Sequence, residues 1–423
     1  DGGASVVAAA DVAPSMAVLE HLGGDLLIDG PGAAAGQLDA PLLTEVGGSL
    51  RFGAALQAEV SLPAVRKVDG DIETIRDSGV TRIELPGLTQ LAGALRIAGS
   101  ALTQLSIPSE HTIGGNLFID SAVALTDLEL GTTRVGGEMS VAKAPKLVRL
   151  SMPHLASVHG DDRFPPAIQL TELGVQELEF PALQQTDGFS LERSDGVTAV
   201  RLPSLTAARI LRFEFNPALE SVSAPEITSV EDLLVENLDA KIGAGTVHSL
   251  DFGKLTTVTD ALEIRGARLS DLSGFRNLES VLLLRLVNVD LLPDFRGLAS
   301  IRQVSSLQLA LLPALISLDG LEPLTALPIA LDLDGNDALI SIAALRHVTR
   351  IGALDLEGNH ALADLALPSA TEITGDLTID DMAALQDLTG LAAVRSVTGE
   401  LMFLGDPGLS EDEIAAFRHQ IGR

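Results

Sequence analysis

Three stretches bring together side chains that could do chemistry. The densest is His159-Gly160-Asp161-Asp162-Arg163, an imidazole, two adjacent carboxylates and a guanidinium in one short run. Paired acids are what a polysaccharide-cleaving enzyme needs for acid and base work. The plainer reading is a polar loop, because no second acidic cluster stands at a matching position and loops are polar by default. Asp332-Leu333-Asp334-Gly335-Asn336-Asp337 alternates acids as a calcium loop does, without the ligand order of an EF-hand, and Asp380-Asp381 makes a similar acidic corner. Both read first as solvated carboxylates at which a single calcium ion could sit. The eight histidines include no i, i+4 pair and flank no nucleophile, so neither a metal site nor a triad follows. With no Cys, thiolate catalysis, disulfides and Cys-based zinc sites drop out together. No Tyr or Trp is present, which leaves Phe alone to stack on a sugar.

What must position these groups is a repeat. Between Gly93 and Pro153 the same pattern occurs three times: Leu95, Ile97, Leu102, Leu105, Ile107, then Leu117, Ile119, Leu125, Leu128, Leu130, then Met139, Val141, Leu147, Leu150, Met152. A period of about 22 residues is a solenoid signature, each coil packing only on its neighbours. The frame extends to Leu26/Ile28, Leu50/Phe52 and Ile72/Thr74 on one side. It returns at Leu331/Leu333, Leu354/Leu356, Leu377/Ile379 and Leu401/Phe403 on the other. Weaker coils fall near Ile168/Leu170, Phe189/Leu191, Leu211/Phe213, Leu233/Val235, Leu262/Ile264, Leu283 and Leu307/Leu309. Over-long steps near 159–176 and 236–250 mark insertions or bends.

Alternation in Leu-x-Ile means strand, with both apolar residues inward and the middle one outward. A second short strand ends in proline at Leu85-Pro86, Ile107-Pro108, Met152-Pro153, Phe180-Pro181, Leu202-Pro203 and Leu367-Pro368; proline lacks the N–H of a ladder and belongs at a corner. A third piece ends before a glycine two places ahead of the next coil, as at Gly48, Gly70, Gly93, Gly115 and Gly137. Three short sides per coil predict an all-β, right-handed β-solenoid of about 17 coils of roughly 22–24 residues. The expected division is an N-terminal segment and cap over 1–22, with Val12 to Leu22 as the cap, a solenoid over 23–409 and a C-terminal capping helix over 410–423. That helix opens on the capping box Ser410-x-x-Glu413 and would cover strand edges left open by the last coil.

Bulk properties narrow the partners. A net charge of −30 repels nucleic acid and acidic membrane surfaces at long range. With 46% hydrophobic and 20% charged residues the chain has material for a continuous core. No apolar run is long enough to span a membrane. The chain opens at Asp1 without an initiator Met, which reads as a processed product.

In three coils an Asn follows the first strand, at Asn216, Asn336 and Asn359, while Ala122 and Ala144 hold that place elsewhere. Later coils trade the proline corner for a glycine one, in Leu269-Ser-Asp-Leu272-Ser-Gly274-Phe275, Leu315-Ile-Ser-Leu318-Asp-Gly320-Leu321 and Leu385-Gln-Asp-Leu388-Thr-Gly390-Leu391. Together with the Gly-x-Leu-x-Ile strands and Leu-Pro corners, these motifs resemble the receptor L-domain family, leucine-rich-repeat relatives that include bacterial surface proteins. The resemblance covers about Gly23 to Leu409. It implies a secreted or cell-surface protein, and its ligand is not carried over with it. The expected function is a non-catalytic binding module without a cofactor, calcium at the acidic corners being the one the carboxylates themselves would allow, and the expected partner is a protein or glycan. The chain departs from the animal receptors in having no Cys or Trp, so their disulfide-rich modules have no counterpart. Outward strand positions in the first half include Arg51, Glu73, Arg96 and Phe118, residue types that suit a protein partner. Two other functions fit less well: a self-associating surface layer or filament, and a β-helical polysaccharide-cleaving enzyme acting through Asp161 and Asp162.

Overall fold

A computed structural model describes residues 6–8, 18–29, 37–53, 59–75, 78–99, 101–160, 166–237, 245–405 and 408–423. Strands take up 44% of the chain and helix 6%, so the all-β expectation holds, as about 15 turns of parallel β-solenoid against the roughly 17 counted from spacing. Two compact units divide it, Asp1–Leu211 and Arg212–Arg423. The expected N-terminal cap lies largely outside the described residues, which resume at Val18.

In the first unit every apolar pair read from the sequence is inward. Leu26 pairs in register with Leu50, Leu50 with Ile72, Ile72 with Leu95, Leu95 with Leu117, and Leu117 with Met139, all parallel. Their side chains are fully buried, at about 1.5–3 kcal/mol of apolar transfer each before chain entropy is charged against it. Met139 next pairs with Ile168, a longer step than its predecessors, which places the first insertion where the spacing put it. Pro108 differs from expectation: it lies within the strand Gln104–Ile113, whose pairing with Asp127–Val135 slips between Ile107 and His111. A proline in a parallel ladder needs such an irregularity, because it has no N–H to donate.

The recurring glycine has a steric cause. In four coils the side chain one residue before the first strand reaches across to the following coil and accepts a backbone N–H there: Asp25 from Ser49 (2.8 Å), Ser49 from Asp71 (3.1 Å), Asp71 from Ala94 (2.7 Å) and Asn116 from Glu138 (3.0 Å). A Cβ on Gly48, Gly70, Gly93 or Gly137 would overlap those same side-chain oxygens. Glycine leaves the room that the docking side chain occupies.

The second unit keeps the plan with different corners. Leu262 pairs with Leu284, Leu284 with Leu307, Leu307 with Leu331, Leu331 with Leu354, and Leu354 with Leu377. The inward residues of the coil expected at Leu283 are therefore Leu284 and Leu286, one place on, and Leu283 itself is half-buried. Apolar residues at Val281 to Leu284, Leu286 and Val287, broken by Arg285 alone, hide the period there. Leu233 pairs with Leu262 across the second over-long step. Two of the glycine corners, at Gly274 and Gly390, and two further corners replace one side by a single 3-10 turn, at Ser273–Phe275, Thr389–Leu391, Arg296–Leu298 and Ala343–His347, where three short strands were expected; the glycine corner Leu315–Leu321 turns through Gly320 at φ 106° without one. An Asx-type turn starts each of three, with Asp271, Asp294 and Asp387 accepting the N–H two residues on at 2.8–3.0 Å.

Two residues after the second inward strand position, the backbone turns left-handed in coil after coil. Non-glycine residues hold this conformation at Ser121, Lys143 and Glu172 in the first unit and at Phe215, Asn288, Leu311 and Asp381 in the second. Each costs of order 1 kcal/mol, offset by the buried residue the corner delivers next. That residue is Asn at Asn216, Asn336 and Asn359, all buried, and Asn237 is a further buried Asn, two places after the inward Val235. Asn336 accepts the Leu312 N–H (3.0 Å) and donates to the Leu309 carbonyl (2.9 Å); its own N–H donates to Asn359 Oδ1 (3.2 Å). Asn359 also donates to the Leu333 carbonyl at 2.8 Å. The C-terminal helix Glu411–Gln420 forms with its capping box, buries Phe417 edge-on to Phe403 at 6.2 Å, and donates from Gln420 to the Leu391 and Val394 carbonyls.

Candidate functional site

A strand face in this fold displays two outward columns, one between the inward residues and one after them. In the second unit register fixes both. The first runs Glu263, Arg285, Gln308, Asp332, Asp355, Thr378; the second runs Arg265, Val287, Ala310, Asp334, Glu357, Asp380. One end is internally neutralised: Arg265 pairs with Glu236 (3.0 Å) and Glu263, and Arg285 pairs with Glu263 (3.5 Å) and donates to Gln308 (2.6 Å). The other end is not. Asp332 stands beside Asp355, and Asp334, Glu357 and Asp380 follow one another on strands about 4.8 Å apart. Like charges directly opposite on a sheet are destabilising.

The strain is visible in proton affinity. Burial first, then the charge of Asp334, pushes the Asp332 carboxyl above the usual carboxylate range, with Arg285 pulling the other way. Burial likewise raises Asp355, aided by Asp332, Asp334 and Asp380. Asp334 is the main cause for Glu357, which is raised too. Asp355 Oδ1 is buried and has no hydrogen-bond partner among the described residues. At the adjacent corner His360 lies between two carboxylates, Nδ1 at 2.5 Å from Asp337 and Nε2 at 3.1 Å from Asp381, and those bonds raise its pKa above the ordinary imidazole value. Between the arginines and the acids, where Val287 and Ala310 are short, lies a shallow depression of about 240 Å³.

The faint calcium-loop pattern resolves into separate duties. Asp332 and Asp334 face out from the strand, Gly335 makes the left-handed turn, Asn336 points inward and Asp337 meets His360. Among the described residues no three His, Asp or Glu side chains converge closely enough to hold one metal ion. Asp355 and Glu357 were not singled out in the sequence. The signal was there, since Leu331-Asp-Leu333-Asp and Leu354-Asp-Leu356-Glu put acids at the same outward places one coil apart.

Asp161, Asp162 and Arg163 lie outside the described residues; His159 at their edge faces Asp187 at 3.7 Å. Arg51, Glu73, Arg96 and Phe118 do share one outward column of the first unit, by direct register. Their charges are turned on one another and on neighbours: Arg51 bonds Glu73 (2.6 Å) and Asp25 (2.9 Å), and Arg96 bonds Asp71. Phe118, expected to be exposed, is half-buried. Among the histidines only His111 is buried. Its Nδ1 lies 2.8 Å from the Ser109 carbonyl, so that nitrogen carries the proton, and Thr132 donates to Nε2 at 2.7 Å. Burial lowers its pKa.

Parallel strands stacked in register, with fixed outward columns, define this chain as a parallel β-solenoid repeat protein. Among the described residues no helix is long and apolar enough to cross a membrane. No protein-family profile matches it, and no characterised protein matches it in sequence.

Proposed function

We propose that the chain is a non-catalytic recognition module, displayed at or outside the cell surface, that binds a basic segment of a protein partner across the outward strand face of its second unit. One observation supports this above the rest: Asp332, Asp334, Asp355, Glu357 and Asp380 are stacked in register with no cation among them except His360 at the corner. Such a face costs stability in the free chain, and a lysine- or arginine-rich segment lying across it would relieve that cost through charge-assisted hydrogen bonds. The extracellular setting rests on the likeness to receptor L-domains at the Gly-x-Leu strands and Leu-x-Gly-Leu corners. The same likeness favours binding over catalysis. The column of Arg51, Glu73, Arg96 and Phe118 is a secondary face, since its charges already answer one another.

The test is titration calorimetry with lysine-rich, glutamate-rich and neutral peptides, and a glycan array run in parallel. Binding of the basic peptide alone, weakening as salt rises and abolished in D332N/D355N/E357Q, is the expected result. Binding that ignores charge, or a glycan signal unaffected by those substitutions, would overturn it.

A further inference from the structure

The carboxylate face has a second property that follows from which atoms lack donors. Carboxylates only accept hydrogen bonds, and a neutral imidazole has one N–H. His360 has a carboxylate oxygen within bonding distance of each ring nitrogen, so only the imidazolium satisfies both Asp337 and Asp381. Asp355 Oδ1 is buried without a donor, beside Asp332 on the neighbouring strand. A proton on this pair supplies the missing donor and removes one of two opposed charges. Gln308 and Thr378 flank the pair in its column, Asp334, Glu357 and Asp380 fill the next, and Arg285, two strands from Asp332 and three from Asp355, is already held by Glu263 and Gln308. Around His360, Asp337 and Asp381 are the charged partners in direct contact.

We propose that this face is a proton-operated surface: Asp332 and Asp355 hold one proton between them, His360 clamps Asp337 to Asp381 when charged, and mild acidification both tightens these coils and reduces their attraction for a basic partner. The last clause rests on the recognition reading above; the first two do not. The direction follows from linkage. A histidine held above its ordinary value contributes fully below about pH 6.5 and loses that contribution as pH rises through its folded value. Carboxyls held above theirs cost stability at neutral pH, and the cost disappears as pH falls through their folded values toward about 4. Both act in one direction, opposite to ordinary acid unfolding.

Hydrogen exchange on the full chain tests this, read at Ala326–Asp334, Arg350–Glu357 and Leu377–Asp380 between about pH 8 and about pH 5, corrected for intrinsic rates. Protection should rise on acidification, by up to about tenfold per pH unit for each proton taken up. D332N/D355N and H360Q should each flatten part of that slope, and the triple variant should remove it while remaining folded. Protection that falls with pH in these strands, or a slope unchanged in the triple variant, overturns the proposal. A lysine-rich peptide is titrated at both pH values as a separate arm. Weaker binding at low pH in the native chain, with a smaller loss in D332N/D355N because His360 and Glu357 still take up protons there, is expected, and equal affinity of the native chain at both pH values would refute the charge-loss clause. A peptide that binds at neither pH defeats the recognition reading and leaves the exchange result to judge the rest.

Discussion

Replacing Asn336 by Ala removes the side-chain amide that ties one corner of the second unit to the coil before it. The side chain is fully buried, and its two bonds end on the Leu312 N–H and the Leu309 carbonyl, both in buried residues. Without it, one donor and one acceptor are left in the interior, at about 1–3 kcal/mol apiece, against a small gain from no longer desolvating an amide. The net local cost is about 2–4 kcal/mol. Repeat arrays do not unfold in one step, so a global midpoint is a poor reporter. Amide exchange at Leu312 reads the corner itself, and its protection should fall roughly 30- to 1,000-fold, at tenfold per 1.4 kcal/mol. The Asn336 backbone N–H survives the substitution and still reaches Asn359. Asn359→Ala should therefore cost the same in either background, within about 0.5 kcal/mol. Leu312 protection within about threefold of the native chain would refute the reasoning, because it would mean the corner closes without its amide.

Other consequences can be checked alongside. Gly137→Ala should destabilise the first unit because its Cβ would overlap the Asn116 side chain, and adding Asn116→Ala should recover part of the loss, with a coupling of about 1 kcal/mol or more in a double-mutant cycle. His111 acts oppositely to His360: its folded value is lowered, so strand Gln104–Ile113 should lose protection as pH falls below about 6.5, and His111→Gln should abolish that dependence. Ser410→Ala should cost the C-terminal helix about 1 kcal/mol, seen as faster exchange in Glu411–Gln420. Removing residues 411–423 should uncover the edge of Leu401–Leu404 and produce concentration-dependent association by light scattering, whereas a monomer would show the helix is not a barrier.

The strands were legible because Leu-x-Ile alternation can mean little else at a spacing of about 22 residues. The corners were only partly so. Left-handed backbone is signalled by Gly335 and Gly358 but hidden by Phe215 and Leu311, residues whose types argue against it. Asn336 and Asn359 announced their buried role, while Asn237, at the edge of an over-long coil, did not stand in a recognisable frame. The acidic face was half seen. Asp332 and Asp334 attract notice as a local motif, but the pairing with Asp355 and Glu357 is a relation between coils, and it emerges only once register is known.

The docking of one side chain over the next coil's glycine bears on how such a chain changes length. Asn116 and Gly137 belong to one fit, and neighbouring Gly115 faces backbone atoms of Gly93 and Ala94. Excising residues 116–137 would take away both halves of the fit, bring Glu138 directly after Gly115, and set Leu95 against Met139, apolar against apolar. A cut that separated Asn116 from Gly137 would leave an amide with no cleft to enter. Whole coils are thus the natural unit of duplication and loss by unequal recombination, and the number of coils is the trait most open to drift, while the contents of each corner are held by the coil beside it.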